Sequence, residues 1–208
     1  MKRIAFAIAF LACAALTPGV AGAAGLTFFP DRASFDAAEP GLPEQSFDAA
    51  NLYGQPYVTQ ASPLTSATND AVFAKGSILP GLKITTQRPG TVATALAVFA
   101  GGPVGSKSVG NNWFGDTFLL EFPKGVKAVG TNIFANTASG TSFAGKITVG
   151  IYSGTKYLGS KTFSEAIGGF MFLGVASATL PITRVAFTWD GDGDAITFVS
   201  DVAFGTPK

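Results

Sequence analysis

Over residues 182–189 the chain alternates with a period of two. Thr183, Val185, Phe187 and Trp189 fall on one side; Ile182, Arg184, Ala186 and Thr188 fall on the other. A strand with one buried face has this period, and a helix with its 3.6-residue repeat does not. Two further strand-like runs, 170–175 and 196–204, flank it. A connection containing Pro181 joins the first, and the Asp/Gly run 190–194, residues that turn tightly at low steric cost, joins the second. Three strands in succession commit this end of the chain to sheet.

The rest of the sequence follows the same pattern. Further strand runs are expected at 45–49, 71–74, 82–87, 92–99, 117–122, 126–136, 146–152 and 157–163, with Gly, Pro or Asp punctuation about every ten residues. Phe47 is expected to point inward and Asp48 outward or at a rim. Pro123-Lys124-Gly125 reads as a turn. Residues 30–38 read as the one helix, capped by Asp31 and stopped by Pro40-Gly41. Two polar, Gly-rich stretches, 50–70 and 101–116, read as long surface loops, where freedom to bind is greatest. The predicted fold is all-β, an antiparallel β-sandwich of the jelly-roll type with one short N-terminal helix. With 26 Gly, 19 Phe and only 13% charged residues, the composition suits an ordered, turn-rich domain.

Residues 1–23 have the form of a secretory signal peptide: Lys2 and Arg3, an apolar run over 4–16, then Ala21-Gly22-Ala23, with cleavage expected after Ala23. Residues 24–208 then form a single domain, secreted or periplasmic. Cys13 raises the alternative of an acylated lipoprotein, but the bulky Phe10 and Leu11 before it disfavour that route. Cys13 is the only cysteine, so the processed chain has no disulfide. Losing Lys2 and Arg3 from 14 basic residues leaves twelve against 13 acidic ones, a net charge of −1. That balance gives no electrostatic case for nucleic acid as a partner. No later run has the apolar length of a membrane span.

Three segments carry a resemblance: FFPDRASFDAA…PEQSFDAA at the start, FLLEFPKGVKAVGTNIF in the middle, and FMFLGVAS…LPITRVAFTW…ITFVSDVAFG at the end. Together they resemble a broad group of secreted bacterial β-sandwich proteins, many of which carry the PEP-CTERM sorting tail. The resemblance implies export and an association with cell surfaces or extracellular polysaccharide. The sequence shown ends at Thr206-Pro207-Lys208 without such a tail, so free secretion or the periplasm is expected rather than surface sorting. The chain is also similar to jelly-roll carbohydrate-binding modules, which often hold a structural calcium between acidic residues on the first and last strands. That similarity implies Asp48 and Asp201 as the calcium ligands here.

The chain has no histidine, so Ser-His-Asp and Cys-His nucleophile systems and the commonest zinc sets are excluded. Ser106-Lys107 reads as solvated loop rather than a Ser-Lys pair. Asp116 and Glu121 flank one strand five residues apart and are expected on opposite sides of the sheet, which does not suit a glycosidase pair. Asp190, Asp192 and Asp194 have the spacing at which alternate carboxylates converge on calcium, and the same spacing suits a solvated hairpin turn. In the two loops Tyr53, Tyr57 and Trp113 offer faces for stacking on sugar rings, with Gln55, Asn111 and Asn112 to bond hydroxyls; the same rings also suit plugging the ends of the sandwich. The expectation is a non-catalytic binding or matrix module for carbohydrate or another surface polymer. The alternatives are a self-associating structural protein and, third, an enzyme acting on polysaccharide.

Overall fold

The computed structural model describes residues 21–22, 25–88, 95–101, 105–137, 145–164, 169–191 and 195–206; the predicted signal peptide lies almost wholly outside them, as do Asp192 and Asp194. In chain order the strands are β1 (Ala21–Gly22), β2 (Leu26–Phe29), β3 (Glu44–Gln45), β4 (Tyr57–Ala61), β5 (Leu64–Thr65), β6 (Lys83–Gln87), β7 (Ala95–Phe99) and β8 (Ser108–Asn111). They continue with β9 (Thr117–Val126), β10 (Ala128–Thr137), β11 (Gly145–Ser153), β12 (Lys156–Ser164), β13 (Met171–Ser177), β14 (Ile182–Gly191) and β15 (Ala195–Gly205). The single helix among the described residues, α1 (Arg32–Ala38), lies between β2 and β3.

The strands form two sheets in which every pairing is antiparallel. One has the order β1-β2-β13-β10-β15-β8-β7-β4, with β3 also on β15; the other runs β12-β11-β14-β9-β6-β5. Successive strands β8, β9, β10 and again β13, β14, β15 alternate between the sheets, which makes the sandwich of the jelly-roll type the sequence predicts. The core fills the space between them, where Phe118 and Phe187 pack at 5.7 Å within the smaller sheet and Phe122 meets Phe204 across the gap at 5.3 Å. Phe47 is fully buried and Asp48 exposed. In β14, Val185 and Phe187 point inward while Arg184 and Thr188 do not, so the two-residue period sets which face meets the core. No helix of the described residues is long and apolar enough to cross a membrane.

Asp31 caps α1 as expected, its carboxylate accepting the Ser34 N–H at 2.8 Å. Seven residues do not make a stable helix alone, and packing holds this one. Phe35, fully buried, lies on the outer face of the larger sheet over Gly130 and Gly174; a Cβ on Gly130 would stand 2.5 Å from its ring. Phe29 and Phe172 close around it at 5.5 and 5.8 Å.

Several boundaries differ from the sequence expectation. The stretch 50–70 is not one loop: it contains β4 and β5, and 101–116 contains β8, because neighbouring strands supply the backbone partners that polar sequence does not advertise. Residues 71–74 form no strand, since the Asp70 carboxylate takes the N–H groups of Val72 and Phe73 and turns the chain locally. The expected first strand 45–49 shrinks to β3, and β2 precedes it. Pro123-Lys124-Gly125 lies within β9 rather than breaking it.

Candidate functional site

Helix α1 covers only part of the larger sheet's outer face. Beyond it Asn132 pairs with Phe172 on one side and Ser200 on the other, forming a polar row. Two residues further along each strand comes an aromatic row, in which Phe134 stacks on Phe198 at 5.1 Å and 14°. Phe99 joins them from β7, 5.5 Å from Phe198, and Phe170 meets Phe134 edge-on at 5.4 Å. Tyr57 on β4 is the register partner of Phe99, on the same face of the sheet. The middle of this row is buried, but its ends are open: Tyr57 is 58% exposed and Phe170 56%.

The polar row is built by a bulge. Opposite Thr131 of β10 stand two residues of β15, Asp201 and Val202, and Asp201 takes a left-handed conformation, φ 53°. Glycine usually takes that place; aspartate is among the few others that tolerate it. The Asp201 Oδ2 atom accepts from Asn132 Nδ2 (2.9 Å), Ser200 Oγ (2.9 Å) and Ser106 Oγ (3.3 Å). Arg32 donates to the Asp201 carbonyl at 3.1 Å and pairs with Glu44.

Asp48 is tied to the same segment. Its carboxylate accepts from the Ser46 hydroxyl (2.6 Å) and the Lys107 N–H (2.9 Å), which hold it below the usual carboxylate range. The Lys107 ammonium donates to the carbonyls of Asp48 (2.8 Å) and Ala50 (2.6 Å). Ser106-Lys107 is therefore a clamp rather than solvated loop. As arranged, the donor set does not fit calcium, which needs several free oxygen ligands: the Lys107 ammonium occupies the carbonyls of Asp48 and Ala50, and hydroxyl, amide and N–H donors occupy both Asp48 carboxylate oxygens and the Asp201 Oδ2. No cluster of three or more acidic, His or Cys side chains suited to a metal occurs among the described residues; Asp190 is exposed there, and its expected companions Asp192 and Asp194 fall outside them. Excess chelator is expected to leave the melting temperature of the calcium-exposed protein unchanged, and a fall of several degrees would restore calcium to this site.

The expected ligand-binding residues divide between two places. Tyr57 lies level with the Ser108 end of β8, at one end of the aromatic row, whereas Trp113 follows its Asn111 end, about 10 Å away at some 3.3 Å per residue. The rings of Tyr53, Tyr57 and Trp113 are all exposed, at 58%, 58% and 56%, so they do not plug the sandwich. Tyr53 is held in a left-handed conformation (φ 53°), and its hydroxyl donates to the Ala71 carbonyl at 2.6 Å. Trp113 has the Arg88 guanidinium over its ring at 4.9 Å. Arg88 is anchored in turn by the buried Asp116 carboxylate at 2.8 Å. Asn112 is half-buried beside it. Asn111 faces inward: it donates to the carbonyl of Trp113 (2.6 Å) and accepts the buried Thr197 N–H (2.9 Å). It shapes the Trp113 loop and offers no group to a ligand. Glu121 pairs with Lys83 at 2.9 Å on the outer face of the smaller sheet, so it and Asp116 serve separate ion pairs.

Sequence reasoning missed Phe99, Phe134, Phe170, Phe198, Asn132 and Ser200. The signal lay in runs such as Ile133-Phe134 and Phe198-Val199, where both parities are apolar: a strand with consecutive large apolar residues has both faces covered.

No protein-family model matches the chain, and no curated protein matches it. Among solved structures it is similar to a carbohydrate-binding module of family 29, at 11% identity and TM-score 0.40, over 72% of this chain and 90% of that one. It is also similar to a family 6 module from Clostridium stercorarium in complex with cellobiose, at 17% identity and TM-score 0.34, over 59% and 86%. A family 28 module specific for non-crystalline cellulose follows at 13% identity and TM-score 0.35, over 52% and 79%. Likeness at this level carries no ligand with it.

Proposed function

We propose that the chain is an exported, non-catalytic carbohydrate-binding protein whose ligand lies along the outer face of the larger sheet. Tyr57 and Phe170 would cap the two ends of the bound sugar chain, and the Asn132–Asp201 row would bond its hydroxyls. One observation carries the reading: exposed Tyr57 and Phe170 stand at the two ends of a register row in which Phe99, Phe198 and Phe134 pack together, beside the part-buried, hydrogen-bonded Asn132–Asp201 pair. Sugar rings present an apolar face and a rim of hydroxyls, which is the matching pattern. Self-assembly through sheet edges has less support, because the edge strand β12 carries Lys156 and Lys161, charges that discourage strand addition.

The test is calorimetric titration with neutral hexasaccharides of glucose, xylose and mannose. Tyr57→Ala is expected to weaken the preferred ligand tenfold or more, a loss of about 1.4 kcal/mol or greater, with an unchanged melting temperature. Binding that survives both Tyr57→Ala and Phe170→Ala would overturn the reading. So would concentration-dependent assembly with no sugar bound at all.

A further inference from the structure

The smaller sheet has an outer face of its own, and one register row runs across all six strands: Tyr157, Tyr152, Arg184, Glu121, Lys83 and Thr65. Its charges do not balance. Glu121 is engaged by Lys83 at 2.9 Å and by the Thr85 hydroxyl at 3.1 Å, both on Oε2. The ion pairs of the described residues are Arg32–Asp36, Arg32–Glu44, Lys83–Glu121 and Arg88–Asp116, and Arg184 belongs to none. Its Nε is buried with no hydrogen-bond partner. The guanidinium instead lies 4.3 Å over the Tyr152 ring, and Tyr157 packs edge-on against Tyr152 at 5.5 Å while remaining 54% exposed. Beside it is a depression of about 350 Å³ lined by Lys83, Glu121, Phe122, Pro123, Thr183 and Arg184.

We propose that this row is a second binding site, for an acidic sugar: a pyranose bearing a carboxylate, as in a uronic-acid polymer. The carboxylate accepts from the Arg184 fork, with the Lys83 ammonium across the depression, and the sugar ring lies toward Tyr157. Stacking on Tyr152 holds the guanidinium in place, so little freedom is lost when the anion arrives. A planar fork of donors lacking an acceptor matches a carboxylate in geometry as well as charge. A neutral sugar would leave the charge on Arg184 uncompensated. The proposal goes beyond the neutral-glycan reading and does not rest on it, since the two sites lie on different sheets.

Titration of the full processed chain with a galacturonic-acid hexamer tests it, against the methyl ester of the same hexamer and against poly-glutamate. The acid is expected to bind at least tenfold more tightly than its ester, and Arg184→Gln to weaken the acid tenfold or more. Raising the salt concentration weakens it further. Lys83→Gln supplies the same readout, smaller, should Arg184→Gln melt early. Lys146→Gln, which removes an exposed charge from the same face near Asp190, is expected to leave binding intact. No binding of the hexamer, an ester that binds equally, or acid binding indifferent to both Arg184→Gln and Lys83→Gln overturns the proposal. Equal affinity for poly-glutamate also overturns it, because the site would then read carboxylate alone.

Discussion

The Gly110→Ala variant is expected to lose about 3 kcal/mol of stability, or roughly 6–12 °C in melting temperature for a domain of this size. Gly110 sits in β8 directly opposite Phe198 of β15 and Ala97 of β7, with strands on both sides. A Cβ there would fall well inside contact distance of the Thr197 carbonyl oxygen and 2.7 Å from the Phe198 ring. The backbone cannot yield without breaking one of two ladders, and the ring cannot yield without unstacking from Phe134. Overpacking of this kind strains the sheet instead of compressing a flexible side chain. The same change tilts Phe198 and with it Phe99, so sugar binding is expected to weaken in the fraction that folds. Thermal denaturation followed by circular dichroism decides the matter, and a shift below about 1 °C would mean that the ring does not cross Gly110 as described.

Much of the fold was legible because its long strands announce themselves twice. In β14 the alternation of Val185 and Phe187 with Arg184 and Thr188 sets the face, and Gly, Pro and Asp set the ends. The misread elements share a physical cause. In β8 the sequence Ser-Val-Gly-Asn has no strand-like composition, yet all four residues are buried, because β7 and β15 close on both sides and need small side chains between them. A strand of that kind is defined by its neighbours, and a window of its own residues does not contain them. The turn expected at Pro123-Lys124-Gly125 is an in-strand irregularity, with Gly125 at φ 70° and the β9–β14 register shifting nearby.

The candidate site was legible only in part. Tyr53, Tyr57 and Trp113 were read as stacking faces or as plugs for the ends of the sandwich, and their exposure argues against the plugs; spacing along the chain does not say that the length of β8 separates Tyr57 from Trp113. The aromatic row was invisible because Phe134 and Phe198 look like ordinary core residues until the register shows which face they occupy. Asp201 was singled out by resemblance, and it stands as a bulge residue whose Oδ2 atom accepts from Asn132, Ser200 and Ser106.

Asn111 separates a structural from a ligand-binding reading of the Trp113 loop. Asn111→Ala is expected to cost about 2–3 kcal/mol, or about 4–12 °C, because the buried Thr197 N–H is left without its acceptor and a small void replaces the amide. The Trp113 carbonyl also loses its 2.6 Å donor, so the ring drifts from Arg88 and its fluorescence is expected to shift toward that of solvated tryptophan. Asn111→Asp retains an acceptor for Thr197 but removes the donor to Trp113 and buries a charge, so it is expected to be no better than alanine. Asn112→Ala, one residue along and half-exposed, is expected to stay within about 0.5 kcal/mol of the parent. The opposite pattern, unchanged melting for Asn111→Ala together with lost sugar binding, would make this amide a ligand contact and would require the loop to open far enough to turn it outward.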